Sequence, residues 1–308
     1  MDMDFIVSWL QSGVRLAAPL ILVSIGSVYA ERSGVLYVGM EGSMLAGAFT
    51  SVAVTLFTGN LFLAAIAAMV AGGLLALVHA YVTVSRRAGQ IASGIGIGML
   101  ALGATNFAFA RLFPAQRLRV ATYPVLSPPG LRSVPFLGPV IFAQSIIVWI
   151  ALVLPLVSAW FLYRTSWGLN IRAVGEDPHA AASDGLSVIR LKYVAVILGG
   201  VFPGLAGSAL TLAELGYFAP NITGGLAWIV LAANNVGKWN PIMVAAACLV
   251  FGLTDALQLR FQALGSAIPY QFPLMAPYLL TLIVLFGLTG RAAAGPKTLG
   301  LPYDPEAV

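Results

Sequence analysis

Residues able to do chemistry are few in this chain, and their spacing speaks against catalysis. The two histidines, His79 and His179, lie far apart, and neither has a cysteine or second histidine at metal-ligand spacing. The single cysteine, Cys248, sits in an apolar run and can form no internal disulfide, so it reads as a small core residue. A G-x-S-x-G elbow, paired carboxylates and a G-x-x-x-x-G-K-[ST] phosphate loop are all missing. The run Gly94-Ile95-Gly96-Ile97-Gly98 has the composition of a nucleotide-binding loop but lies inside an apolar stretch with no preceding strand. No catalytic residue, bound metal or resident cofactor is expected, and the chain itself should not hydrolyse ATP.

The remaining polar groups fall into two sets. One is scattered within apolar runs: Glu41, Asn106, Asn234 and Asn235, with Trp228 among them as a stacking face. Charge and amide groups are costly in hydrocarbon and often mark a solute pathway there. Glu41, just after Gly39, reads equally as a helix brace or as pathway lining. Asp255 with Arg260 reads as a local ion pair or helix brace rather than a proton relay, and Glu214 as an interfacial acid. The other set is concentrated. Residues 164–192, RTSWGLNIRAVGEDPHAAASDGLSVIRLK, hold seven of the chain's 27 charged residues (16 Lys and Arg, 11 Asp and Glu).

The elements that must position these groups are membrane helices. Hydrophobic residues make up 59% and charged residues 9% of 308, against about 25% charged in soluble domains. Several runs reach the ~20 apolar residues that cross ~30 Å of hydrocarbon, and the alternating pattern of a barrel is absent. The basic residues form no stripe, so nucleic acid is not an expected partner. Nine segments emerge: Phe5–Val28, Val35–Phe57, Leu61–Val84, Gln90–Leu112, Pro139–Tyr163, Tyr193–Leu215, the short Gly224–Val236, Pro241–Leu259 and Phe272–Gly290. The short one is either a crossing or re-entrant.

Charge placement orients them. With the amino terminus outside, the inward set is Arg32, Arg86, Arg87, Arg164, Arg172, Arg190, Lys192, Lys238, Arg291 and Lys297, ten in all. Five face outward: Arg111, Arg117, Arg119, Arg132 and Arg260. The positive-inside bias is satisfied, with the carboxy terminus and residues 164–192 in the cytoplasm. MDMDF carries acids and no base, and the first span is too long for a cleaved signal peptide.

Two stretches look like broken helices: residues 31–47, ERSGVLYVGMEGSMLAG, and 219–241, APNITGGLAWIVLAANNVGKWNP. Interrupted helices at corresponding places in two halves point to a transport pathway, and a weak duplication is expected, with half-bundles at 1–163 and 193–308 of one transmembrane domain. Gly94/Gly98 and Gly200/Gly204 put glycines four apart, which lets helices pack closely.

Four stretches together, ERSGVLYVGMEGSMLAGAF, QIASGIGIGMLALGATNF, GLNIRAVGEDPHAAASDGLSVIRLKYVAVILGGVFPGLAGSAL and GKWNP, resemble permease subunits of ABC importers in the branched-chain amino acid/ribose superfamily. The nearest branch is the simple-sugar and nucleoside group, specifically its shorter permease. That resemblance implies an all-α permease of two pseudo-repeated halves and a sister permease forming a heterodimer. It also implies a cytoplasmic ATPase that binds ATP and Mg, and an extracytoplasmic binding protein or lipoprotein delivering a nucleoside. It places ATPase coupling at Gly175, Glu176, Asp177, Pro178, His179, Ala180 and Ala181. The physics of that segment agrees: an acid caps a short helix, Pro178 suits its first turn, and alanines follow. Tyr37-Val38 departs from an Asn-Ile pair found in many relatives, leaving a simple sugar as the alternative cargo. An ion-coupled secondary transporter would have no use for residues 164–192.

Overall fold

The computed structural model describes residues 3–113, 119–126, 138–263, 275, 279 and 295–304. Among them, seven helices are long and apolar enough to cross a membrane. The chain runs α1 (Met3–Arg32), α2 (Met40–Thr58), α3 (Leu61–Ala80), α4 (Gln90–Leu112), α5 (Ile146–Arg164), α6 (Ser166–Glu176), α7 (Pro178–Ser183), α8 (Val188–Ala209), α9 (Leu226–Val236) and α10 (Pro241–Ala263). π-Helical turns prolong α3 over Tyr81–Ser85 and α8 over Leu210–Leu215. The expected last span, 272–290, lies outside the described residues apart from 275 and 279.

Helix α1 is the spine: every residue from Ala17 to Glu31 is buried, and it packs on α8, α10 and α5. It runs four residues past the expected end at Val28, because Glu31 is not a solvated terminus but a buried acceptor. The second span begins at Met40 rather than Val35; residues 33–39 are non-helical, with Gly34 at φ +83°. The fifth begins at Ile146, after a π-turn over Gly138–Phe142 and a two-residue strand pair in which Val125 faces Ser145.

The tightest packing is at glycines. Helices α2, α3 and α8 pack mutually, and a Cβ on Gly207 would stand 2.0 Å from the Met44 carbonyl, one on Gly204 2.2 Å from that of Ala68. Gly47 and Gly72 close the same crossings from the other side. Without a solvophobic drive inside lipid, such backbone-on-backbone contact is what joins helices. Gly94 likewise rests on Val38 and Gly39, whereas Gly96 and Gly98 face open space. Cys248 is buried beside Ser24 Oγ at 3.0 Å, as a core residue should be. Helices α3 and α4 leave Phe62, Leu74, Met99 and Phe107 among their uncovered side chains, so both present broad apolar faces outward.

Residues 164–192, expected as a charged loop bearing a short helix, are largely helical. Thr165 caps Gly168 N at 3.2 Å, and Gly168, Ile171, Val174 and Gly175 give α6 a buried stripe at helical spacing. Arg172 is drawn back onto α5, donating to the Leu162 carbonyl at 3.0 Å and covering the Tyr163 ring.

Candidate functional site

Helix α9 has eleven residues and so spans about 16 Å, roughly half of a hydrocarbon layer. Its ends lie against the two sides of the break at 33–39. At its start, Gly225 occupies the N-cap with φ +85° and has no side chain to satisfy the helix's free amides. Glu41, from the first turn of α2, supplies the missing acceptor. Its Oε1 accepts from Gly225 N at 2.9 Å and from the Thr223 hydroxyl, and its Oε2 accepts from Ala227 N at 3.0 Å. A carboxylate at a helix N-terminus both satisfies orphan donors and complements the dipole.

At the far end the anchor is Glu31, 1% exposed. It accepts from Ser27 Oγ at 2.6 Å, from Asn234 Nδ2 at 3.4 Å and from Trp239 Nε1. No basic side chain pairs with it among the described residues. The turn that follows α9 is strained, with Lys238 and Trp239 at φ +52° and +53°. Such non-glycine backbone persists only when its surroundings fix it. Arg32 does so, donating to the Lys238 and Trp239 carbonyls at 3.0 Å each. Two successive residues of α1 thus hold the end of α9 and the turn behind it.

The residues expected to line a pathway are not gathered in one place. Glu41 is the brace of α9, half of the expectation made for it. Asn234 is fully buried on the side facing Glu31, with its Oδ1 unpartnered. Trp228, 56% exposed, and Asn235, whose amide returns to the Leu231 carbonyl at 2.8 Å, lie on the opposite, open face of α9. Asn106 belongs to α4, and its Oδ1 also has no partner. Tyr37, at the departure from the family pattern, is fully buried; its hydroxyl meets Ser43 Oγ and its ring lies 4.9 Å from His79. It fills core rather than facing a solute.

The ion pair expected between Asp255 and Arg260 is not formed; the Arg260 guanidinium lies 5.4 Å above the Phe5 ring instead. Five residues apart on a helix, the two side chains point away from one another. Glu214 is a buried partner of Arg15 at 3.0 Å. That pair borders a polar cavity of 380 Å³ also lined by Gln11, Tyr123 and Gln144, at the end of the bundle opposite α7. Burial raises the Tyr123 phenol above its ordinary pKa, against the bond it makes to Ser208.

Residues 175–181, the segment expected to couple, include the capped start of the short helix that their sequence indicates. Asp177 Oδ1 accepts from His179 N and Ala180 N at 3.0 Å each, Pro178 opens α7, and Gly185 at φ +83° ends it. Glu176, Asp177, His179 and Ala180 are exposed, while Pro178 and Ala181 are buried. Gly175 is pressed onto the break: a Cβ there would stand 2.1 Å from the Arg32 carbonyl. Sequence reading missed Glu31, Arg32, Thr223 and Trp239, whose roles appear only when distant segments meet. No three metal-binding side chains converge among the described residues.

The family described as "branched-chain amino acid transport system / permease component" matches residues 10–289. The guanosine ABC transporter permease NupQ of Bacillus subtilis is 41% identical over 298 residues, covering 93% of each chain. A putative glucose ABC transporter permease, TsgC13 of Haloferax volcanii, is 37% identical over 88% of this chain and 83% of its own. The nucleoside ABC transporter permease NupC of Lactococcus lactis is 34% identical, again over 93% of each. No solved structure matches. The chain belongs to the permease-component family of branched-chain amino acid transport systems and is a multi-pass membrane protein.

Proposed function

We propose that this chain is the transmembrane permease subunit of an ATP-binding-cassette importer that carries a nucleoside. The observation that carries this reading is likeness over nearly the whole chain to permeases named for guanosine and for nucleosides. The exposed face of α9 suits such a cargo. Trp228 offers a ring to stack on a base, and Asn235, seven residues on, brings an amide to the same face. The likeness to a glucose permease supports the alternative cargo, a simple sugar, which also stacks on an indole.

In this reading the amino terminus faces outside and α7 the cytoplasm, following the ten-to-five bias of basic residues. An extracytoplasmic binding protein or lipoprotein delivers solute. A sister permease covers part of the outward faces of α3 and α4, making a heterodimer. The ATPase, which binds ATP and Mg, grips Glu176–Ala181. Closure of the ATPase dimer pushes α7; Gly175 passes the push to Arg32, and Glu31 and Arg32 move the end of α9. The two half-bundles at 1–163 and 193–308 rock about residues 164–192.

The test is uptake by the reconstituted assembly, with binding protein, across a panel of nucleosides and simple sugars. Saturable, ATP-dependent nucleoside uptake is expected. Uptake of a sugar and of no nucleoside would move the assignment to the sugar branch. Uptake driven by an ion gradient without ATPase would overturn the importer reading altogether.

A further inference from the structure

Beyond the helices, residues 295–304 cross the face of the molecule that carries α7 and fasten to several segments there. Thr298 donates twice to the Gly175 carbonyl, from its backbone N at 3.1 Å and from Oγ1 at 2.7 Å. Two residues on, Gly300 N donates to the Gly34 carbonyl at 3.3 Å. The Leu301 carbonyl accepts from Gln90 Nε2 at 3.3 Å, and the same Gln90 side chain accepts from Leu36 N at 2.7 Å. The Tyr303 ring lies 5.2 Å from that of His179, tilted by 54°, and Asp304 pairs with Arg87 at 2.8 Å. Ten residues therefore touch the coupling helix, the break at 33–39, the start of α4 and the loop before it.

The fit leaves no room for substitution at its centre. A Cβ on Gly34 would lie 2.4 Å from Thr298 Oγ1, and Gly34 is itself at φ +83°. Yet the strap is not packed flat. A cavity of 340 Å³ remains between it and α7, lined by Asp177, His179, Lys192, Thr298 and Tyr303. Force between the strap and its neighbours thus runs through discrete bonds rather than a filled interface. Gly175, near the end of α6, also presses directly on the Arg32 carbonyl and on Gly34 N. Helix α7 begins three residues after Gly175 and buries Pro178 and Ala181; with Gly175 and His179 also held by the strap, it cannot turn without drawing Gly34 and Gln90 with it.

We infer that residues 295–304 are a positioning strap that converts movement of the coupling helix into movement of the break at 33–39 and of the start of α4. The inference rests on the coupling role proposed for residues 175–181. Thr298→Pro removes both donors to Gly175 at once. In the full assembly, this variant keeps its ATPase and its basal hydrolysis, while the stimulation of hydrolysis by solute-loaded binding protein falls by about tenfold, within the ordinary range of site-to-site coupling. An independent arm exchanges charges. Asp304→Arg alone lowers stimulation by about twofold to fivefold, the worth of an exposed ion pair, and Arg87→Asp with Asp304→Arg restores it.

Wild-type uptake by a chain ending at residue 294 would overturn the inference, as would loss of bound ATPase from Thr298→Pro, which would make the strap a docking surface. Reversing the charges of Glu176 and Asp177 separates the two readings. If that variant still couples, the role of α7 fails; if it uncouples while the strap variants do not, the strap alone fails.

Discussion

Replacing Glu41 with glutamine keeps the side chain's shape and one carbonyl oxygen while removing its charge and turning the other oxygen into a donor. Three donors converge on the native carboxylate: Thr223 Oγ1, Gly225 N and Ala227 N. Glutamine can still accept from the first two, now as a neutral acceptor, but presents an amide N–H to Ala227 N–H. Hydrogen bonds to charged groups contribute about 1.5–3 kcal/mol and neutral ones about 1, so one lost bond and two weakened ones sum to about 3 kcal/mol. That reduction applies to local opening of the first turn of α9, because Gly225 has no side chain to cap it. Amide exchange in peptides covering 224–236 should then quicken by about a hundredfold, at tenfold per 1.4 kcal/mol. Hydrogen–deuterium exchange with mass spectrometry on the purified protein reads this directly, and peptides from α3 serve as the internal reference. Glu41→Asp, which keeps the charge but loses reach, should quicken the same peptides. Protection of 224–236 unchanged in both variants would refute the capping argument, since nothing else near Gly225 could then be doing the work assigned to Glu41.

Other perturbations follow from the same contacts. Gly204→Ala and Gly207→Ala each force a methyl into a backbone carbonyl about 2 Å away and should cost about 1–3 kcal/mol or abolish folding. Gly96→Ala, in open space, should shift stability by no more than about 0.5 kcal/mol; equal melting temperatures for all three would contradict the crossing. Trp239→Phe deprives the buried Glu31 of a donor and should lower thermal stability by about 1–3 kcal/mol, visible in a detergent melt. Asp177→Ala removes both capping bonds of α7, about 1 kcal/mol, and should weaken retention of the ATPase on affinity-captured permease. Trp228→Ala should raise the KM for uptake by about fivefold, the worth of one aromatic contact, while leaving the melting temperature alone because the ring is largely exposed; an unchanged KM would remove Trp228 from the pathway.

What could be read beforehand was local or periodic. Hydropathy places the membrane helices, the Asp177-Pro178 pair announces α7, and the spacing of Gly200 and Gly204 announces a close crossing. What could not be read is non-local. Glu31 looks like a charge that ends a span, and the span continues only because Asn234 and Trp239, some two hundred residues away, supply its hydrogen bonds. Glu41 could be marked as a brace or a pathway group, but its true object is the start of α9 rather than its own helix. Residues 166–176 were hidden by their charge: the apolar stripe of Ile171 and Val174 is narrow, and Arg172 beside it finds its partners on α5. The stretch PKTLGLPYD carries no period at all, so nothing in it foretells the strap.

The crossing of α2, α3 and α8 also bears on how such a carrier can change its cargo over generations. At Gly47, Gly72, Gly200, Gly204 and Gly207 the space a side chain would need is already occupied by a neighbouring backbone or methyl group. Every single-nucleotide change away from glycine there adds bulk, so this trio of helices offers selection almost no neutral steps. It is a frozen chassis. Innovation in what is carried must therefore be written on surfaces that can accept new side chains one at a time. Gly96, Gly98 and Gly103 of α4 all face open space, and it is at such positions that lineages with different diets would be expected to diverge first.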